Sequence, residues 1–202
     1  MTGKSPLTPP ALDEGAAKAA ADRFSASAPA EVRYAVLDSP VGTLVAAITD
    51  RGLTRLAYDD LNGGVDAILE SIARRLSPSI VERKAALDPV ARELDEYFAG
   101  TRTRFDIAID WSLVHGFGRR VLDDAIAIPY GEVATYGEVA TSAGIPSAAR
   151  AAGNALGNNP LPIVVPCHRV VRSSGGLGGY TGGVDRKQKL LAVERGELTL
   201  GI

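Results

Sequence analysis

The chain is poor in cysteine, histidine and long apolar runs, and each shortage excludes a class of protein. Its 202 residues include one Cys and two His, too few for an internal disulfide or a cysteine-based zinc cluster. No apolar run approaches the ~20 residues that a membrane span needs. We therefore expect a soluble protein of a reducing compartment, the cytoplasm, with no metal, no cofactor and no membrane partner.

The chain also has little net charge. The formal net charge is −2 and the pI is about 5.7. Taken over the whole chain, this balance argues against a generic nucleic-acid binder, which is usually basic. The 46% apolar content is that of an ordinary globular protein.

Residues 1–30 differ from the rest in composition. They are rich in Ala, Pro and Ser and nearly free of bulky apolar groups. They lack the continuous apolar segment of a secretory signal. This composition predicts a flexible tail.

Residues 31–110 are expected to form an N-terminal α/β unit. Short apolar runs separated by Gly- and Pro-containing turns predict an antiparallel meander. Helical spacing predicts one helix over 66–76, and the pair Asp88-Pro89 predicts the start of a second, which Gly100 ends. The predicted strands are 32–37, 43–49, 53–58 and 105–109.

Residues 111–202 are expected to form a mostly helical second unit. An amphipathic helix is predicted over 114–126, and a last helix over 185–195. Between them, two short helices over 135–143 and 147–156 flank the turn Gly144-Ile145-Pro146, which is typical of a helix-turn-helix. The single cysteine follows in Pro166-Cys167-His168-Arg169, where neighbouring cationic and hydrogen-bonding groups favour the nucleophilic thiolate.

Four motifs of this second unit occur in a recognisable order. They are Ile128-Pro129-Tyr130-Gly131-Glu132, Ser147-Ala148-Ala149-Arg150-Ala151, Asn159-Pro160 and Val165-Pro166-Cys167-His168-Arg169-Val170. Together they closely resemble the O6-alkylguanine-DNA alkyltransferases, also called methylated-DNA–protein-cysteine methyltransferases. The resemblance covers residues 32–198 and is strongest over 128–195. It implies an α/β fold with a small, ribonuclease H-like antiparallel N-terminal sheet and a helical C-terminal unit that carries the reactive cysteine.

The resemblance also implies a reaction and a role for each matching residue. Cys167 would accept the alkyl group from O6-alkylguanine, and from O4-alkylthymine, in an irreversible single turnover. His168 would remove the thiol proton through a water molecule, with Glu194 as its orienting partner. Asn159 would brace the turn that carries Cys167. Tyr136 would approach the lesion's phosphate and donate a proton as guanine leaves, which is worth about 10²–10⁴ in rate.

A second set of residues is implied in binding DNA. Chemistry on a stacked guanine requires flipping the base out of the duplex. The small side chains of the second helix would enter the minor groove, and Arg150 would fill the space that the base leaves. Ser147, Ala151 and Asn154 share its face by helical spacing. The walls of the base pocket would be Pro162, Val170, Tyr180 and Thr181.

The partner implied is double-stranded DNA with alkylated guanine, bound by a monomer. Residues 145–195 carry seven basic and two acidic groups, whereas the remainder carries 15 and 22. The positive charge therefore lies where DNA would bind. Two alternatives are a damage-binding module without transfer, which the presence of Cys167 disfavours, and a multiple-turnover cysteine hydrolase, which leaves the helix-turn-helix unexplained.

Overall fold

The computed structural model describes residues 31–198, so the expected tail at 1–30 lies outside the described residues. Strands β1 (Val32–Leu37), β2 (Leu44–Thr49) and β3 (Gly52–Tyr58) form the predicted antiparallel meander. A short fourth strand, β4 (Ile80–Glu82), pairs parallel with β1 and gives the sheet order β3-β2-β1-β4. The sequence did not indicate β4, because three residues are too short for a period-2 pattern.

Two helices, α1 (Gly64–Arg75) and α2 (Lys84–Phe98), belong to the same half of the chain. The strand β2 is buried on both faces because its side chains alternate between two apolar clusters. Val45 and Ala47 join the cluster that includes Ile68 and Ile72 of α1. Leu44, on the opposite face, joins the larger cluster, which includes residues of α2.

Two predictions for this half were wrong. The helix α2 begins at Lys84, so Pro89 lies inside it rather than at its first position. Leu87, in the turn before that proline, has no solvent exposure. Its burial in the core favours a helix that begins before Pro89. Residues 105–109 pair with the sheet only at Ile109, opposite Leu53. Because this pairing is parallel, residues 105–108 would lie opposite 49–52, where the chain turns at Asp50 and Arg51 before β3 begins at Gly52, so they have no strand to pair with.

The second half is mostly helical, as predicted. A short 3₁₀ helix (Trp111–Leu113) precedes α3 (Gly116–Ala127), α4 (Tyr136–Ser142), α5 (Ala149–Gly157) and α6 (Val184–Glu194). Two two-residue strands, β5 (Ala134–Thr135) and β6 (Val170–Val171), pair in parallel and had not been predicted. The α/β fold class expected from the sequence is confirmed.

The helices α4 and α5 form the helix-turn-helix. Thr135 caps α4 reciprocally with Glu138: its hydroxyl accepts from Glu138 N at 3.2 Å, and its own N donates to Glu138 Oε2 at 2.6 Å. This cap makes Tyr136 the first residue of α4. The second helix begins at Ala149, two residues later than predicted, so Ser147 lies in the preceding turn.

One apolar cluster joins the two halves of the chain. It includes Leu44 and Tyr97 from the first half together with Val121 and Cys167 from the second. The reactive-cysteine candidate is therefore supported by side chains from both halves. Within residues 31–198, none of the helices has the length and apolar character needed to cross a membrane.

Candidate active site

Cys167 begins a 3₁₀ turn, Cys167–Arg169, that lies directly before β6. The preceding residue, Pro166, has φ −81° and ψ 58°, and Cys167 N donates to Val165 O at 2.8 Å. These are the angles and the hydrogen bond of an inverse γ-turn. In a 3₁₀ helix, successive side chains point about 120° apart. Cys167 and His168 therefore do not alternate across an extended strand.

Asn159 holds this turn from within the core. Its Nδ2 donates to Val165 O at 2.9 Å and lies 3.1 Å from Cys167 Sγ. Its Oδ1 accepts from Leu161 N at 2.9 Å. The side chain is thus fixed by its own loop and places an N–H beside the sulfur atom.

The thiol is buried, and burial raises the pKa of Cys167 to about 11. The hydrogen bond from Asn159 and the positive charge of Lys187 oppose that rise without cancelling it. Arg169, which the sequence suggested as the stabilising cation, instead binds Glu194 and Ile128 O. The cation that acts on the sulfur is Lys187, one turn into α6.

Lys187 is a buried lysine with two backbone partners. Its Nζ donates to Val170 O at 2.5 Å and to Gly179 O at 3.2 Å. Burial lowers the pKa of Lys187 to about 8, while the nearby Cys167 raises it. The same ammonium group therefore ties the glycine-rich loop at residues 173–183, here called the pocket loop, to β6, the strand that follows the cysteine.

His168 and Glu194 form a fully buried pair. His168 Nε2 lies 2.7 Å from Glu194 Oε1, and neither side chain is exposed to solvent. Glu194 also accepts from both Nε and Nη2 of Arg169, from the Tyr97 hydroxyl at 2.7 Å and from Gly131 N at 3.2 Å. The hydrogen bonds from His168 and Arg169, together with the charge of Arg169, outweigh the cost of burial and lower the pKa of Glu194 to about 2.

The state of the pair follows from these contacts. An ionised Glu194 only accepts hydrogen bonds, so His168 Nε2 carries the ring proton. Burial lowers the pKa of His168, which keeps the ring neutral at neutral pH. Among residues 31–198, the other ring nitrogen, Nδ1, has no hydrogen-bond partner although it is buried. His168 therefore offers an unprotonated nitrogen that can take up a proton.

A cavity of about 620 Å³ opens above the thiol. Cys167 lies in its wall together with Arg150 and Asn154 of α5 and Tyr180 and Thr181 of the glycine-rich loop. The structure thus brings the predicted cysteine, groove helix and pocket loop to one cavity. The remaining lining residues are Tyr136, Ala149, Gly153, Leu156, Gly157, Arg172 and Gly179.

Of the residues predicted to bind DNA or to line the base pocket, four lie outside this cavity wall. Ser147 and Ala151 are exposed, as Arg150 is. Pro162 and Val170 are buried, and Val170 O is occupied by Lys187.

Two of the lining residues also contact the loops around them. Thr181 Oγ1 donates to Gly157 O at 3.2 Å, which connects the pocket loop to the end of α5. Tyr136 donates its hydroxyl to Gly179 O at 3.3 Å. The pocket loop is thereby held to both helices of the helix-turn-helix.

Three contributors were missed as site residues by the sequence reasoning. Lys187 was counted only among the basic groups of residues 145–195, although its place one helical turn beyond the glycine-rich loop was a signal. Tyr97 comes from α2, and no motif in the first half pointed to the site. Arg172 is exposed and shares the cavity wall with Arg150. Over residues 31–198, no three His, Cys, Asp or Glu side chains gather as metal ligands do.

The fold and the site together define a class, the cysteine-dependent DNA alkyltransferases. Two family models match the chain: the ribonuclease-like domain of 6-O-methylguanine DNA methyltransferase over residues 32–111, and its DNA-binding domain over residues 116–196. The chain belongs to the methylated-DNA–protein-cysteine methyltransferase family. The resemblance stated from the motifs is confirmed.

Relatives from several organisms match most of the chain. A methylated-DNA–protein-cysteine methyltransferase of Mycolicibacterium paratuberculosis is 45% identical over 81% of this chain and 93% of its own length. One from Methanosarcina barkeri is 36% identical over 82% and 98%. The crystal structure of Mycobacterium tuberculosis OGT in complex with DNA matches with a TM-score of 0.71 and 37% identity, covering 83% of this chain and 96% of that one.

Proposed function

We propose that this chain repairs DNA by moving the alkyl group of O6-alkylguanine onto Cys167 Sγ. The sulfur–carbon bond forms as the bond between that carbon and O6 breaks, so the thioether product is permanent and each chain acts once. The observation that carries this proposal is the single buried thiol, which faces a cavity walled by the second helix of a helix-turn-helix. The relatives named for this reaction support it.

His168 is the base that removes the thiol proton of Cys167. With a pKa of about 11, only about one Cys167 side chain in 10⁴ is a thiolate at neutral pH. The thiol proton passes to His168 Nδ1 through a water molecule, and Glu194 stabilises the imidazolium that forms. Asn159 Nδ2 stays beside the sulfur during the attack. Tyr136 supplies the proton that the departing guanine takes up.

The DNA lies across α5 with its minor groove on the exposed small side chains. Arg150 replaces the flipped base in the stack, while Ser147, Ala151 and Asn154 lie along the groove. Arg172, which is exposed and also lines the cavity, adds a contact to a phosphate. The crystal structure of the relative in complex with DNA supports DNA as the partner.

The test is a stoichiometric transfer assay. Equimolar protein is incubated with a duplex that contains one O6-methylguanine, and the intact protein and its tryptic peptides are weighed. One methyl group per chain, on the peptide that contains Cys167, is the expected result. The Cys167→Ser variant serves as the matched control and should bind the duplex without gaining mass.

Two other results overturn the proposal. Tight binding of the damaged duplex by an unmodified wild-type protein indicates a damage-binding module. Release of product over many cycles, with no adduct, indicates a cysteine hydrolase.

We make four further proposals about the properties of this protein. We infer that O4-alkylthymine is a second substrate, that the protein acts as a monomer, and that it works in the cytoplasm. We also propose a division into a tail at 1–30, an N-terminal unit at 31–110 and an alkyl-transfer unit at 111–202. Limited proteolysis tests the division, and sedimentation at several concentrations tests the oligomeric state.

A further inference from the structure

Tyr58, the last residue of β3, extends from the N-terminal sheet to the wall of the cavity. Its side chain has no solvent exposure, and its hydroxyl lies 3.0 Å from the hydroxyl of Tyr180. The two rings meet edge to face with centroids 6.2 Å apart. Within residues 31–198, the Tyr58 hydroxyl has no other hydrogen-bond partner. The hydroxyl contact and the ring contact together fix the position of both rings.

Gly182 shows how closely the two rings are packed. A Cβ atom at this position would lie 2.6 Å from Cε1 of Tyr180 and would overlap the Tyr58 ring as well. The glycine therefore lets the pocket loop pass between the tyrosines. Any side chain at residue 182 would force the rings apart.

Arg186 packs on the face of the Tyr58 ring. The guanidinium carbon lies 4.5 Å from the centre of the Tyr58 ring. Its nitrogens donate to Val41 O at 2.5 Å, to Gly182 O at 3.2 Å and to Asp60 Oδ2 at 2.9 Å. One side chain of α6 thus binds two loops of the N-terminal sheet and the pocket loop at once.

Tyr180 connects Tyr58 to the reacting groups. It shares the cavity wall with Cys167, and its ring stands edge-on to the His168 ring with centroids 6.2 Å apart. A shift of the Tyr180 ring changes the space beside the sulfur. The N-terminal sheet therefore contacts the wall of the alkyl pocket through the Tyr58–Tyr180 pair.

We propose that Tyr58 is a positioning residue that holds the Tyr180 ring and sets the width of the alkyl pocket. The inference rests on the proposed function, because the pocket matters through the group it accepts. Without the Tyr58 hydroxyl, the Tyr180 hydroxyl loses its partner and the ring gains freedom. A looser wall holds a methylated base less well and leaves more room for a larger alkyl group.

The experiment compares Tyr58→Phe, Tyr180→Phe and the double variant in single-turnover transfer from duplexes that carry O6-methylguanine or O6-benzylguanine. The loss of one hydrogen bond predicts methyl transfer about threefold to tenfold slower in Tyr58→Phe. We expect the ratio of the benzyl to the methyl rate to rise. Tyr58→Phe should have no further effect in the Tyr180→Phe background, since it acts through that hydroxyl.

The matched control is Tyr34→Phe, which changes a partly buried tyrosine of the same sheet that packs on the smaller apolar cluster. It should leave both rates unchanged. Thermal unfolding of each variant identifies a loss that comes from instability alone. Independent, additive effects of Tyr58→Phe and Tyr180→Phe, or an unchanged benzyl-to-methyl ratio, overturn the proposal.

A second measurement does not depend on DNA. The rate at which iodoacetamide labels Cys167 should rise in Tyr58→Phe and should not rise again when the substitution is added to Tyr180→Phe. If the wild-type protein transfers no alkyl group, the proposed function fails while this labelling cycle still tests Tyr58. Equal labelling of the wild type and Tyr58→Phe overturns the positioning role.

Discussion

His168 Nε2 and Glu194 Oε1 lie 2.7 Å apart with no solvent exposure on either side chain. The pair joins the cysteine turn to the last turn of α6, 26 residues further along the chain. Its geometry fixes the proton on Nε2 and leaves Nδ1 free to act as the base for the thiol.

Glu194→Gln should slow methyl transfer by about 10²-fold or more, since it removes the charge that stabilises protonated His168. Single-turnover rates measure the loss, and DNA affinity should stay close to that of the wild type. The control is Glu132→Gln, an exposed carboxylate in the turn before β5. Transfer within twofold of the wild-type rate, in a variant that remains folded, contradicts the role of Glu194.

The same carboxylate predicts how stability depends on acid. The donors around Glu194 lower its pKa to about 2, from 4.5 in the unfolded chain. Its contribution to the free energy of unfolding is therefore complete above pH 4.5 and is lost as the pH falls towards 2. Urea unfolding between pH 2 and 6 should show this decline in the wild type and a flatter profile in Glu194→Gln. Parallel profiles of the two proteins count against the assignment.

Much of this site could be predicted from local sequence. The turn residue Pro166, the capping pair Thr135 and Glu138, and the glycine-rich loop all act through their own backbone neighbourhood, so short motifs predict them. The family resemblance added the partnership of His168 with Glu194, which periodicity alone does not give.

What sequence reasoning missed is non-local. Tyr58 and Tyr97 reach the site from the N-terminal half, and nothing near them in the chain indicates which loop they contact. The strand predicted at 105–109 failed for the same reason, because its pairing at Ile109 leaves residues 105–108 beyond the start of β3, which no local pattern indicates. Ile163 adopts a φ of 74°, a conformation that costs a β-branched residue about 1–3 kcal/mol and that only the surrounding packing selects.

Lys187→Met should make the thiol harder to ionise. The ammonium group opposes the desolvation that raises the pKa of Cys167, so its removal raises that pKa further. The pH profile of iodoacetamide labelling should shift to higher pH. Lys189→Met removes an exposed charge from the same helix and should leave the profile in place. An unshifted profile in Lys187→Met excludes this lysine as the cation that acts on the sulfur.

Tyr136→Phe should slow alkyl transfer and leave DNA binding nearly unchanged. Burial raises the pKa of Tyr136, so its hydroxyl is protonated at neutral pH and can donate. Its hydrogen bond to Gly179 O must exchange for one to the substrate during the reaction. We expect transfer to slow by about tenfold or more, with duplex affinity nearly unchanged. A loss confined to affinity assigns Tyr136 to DNA binding alone.

Arg150→Ala should discriminate between duplex and free-base substrates. Arg150 is exposed in the first turn of α5 and lines the cavity, while the groups that activate Cys167 are buried. Without the guanidinium, the duplex recloses over the flipped position, so transfer from the duplex slows. The rate with free O6-benzylguanine, which needs no flipping, should stay close to the wild-type rate.

Arg92→Ala is the matched control, since it removes an exposed arginine from α2, outside the cavity wall. It should change neither rate. Raising the salt concentration weakens phosphate contacts in all variants, so the comparison is made at one fixed ionic strength. An equal loss on both substrates in Arg150→Ala places the defect at the thiol and removes the base-flipping role, because the free base reaches Cys167 without entering a duplex.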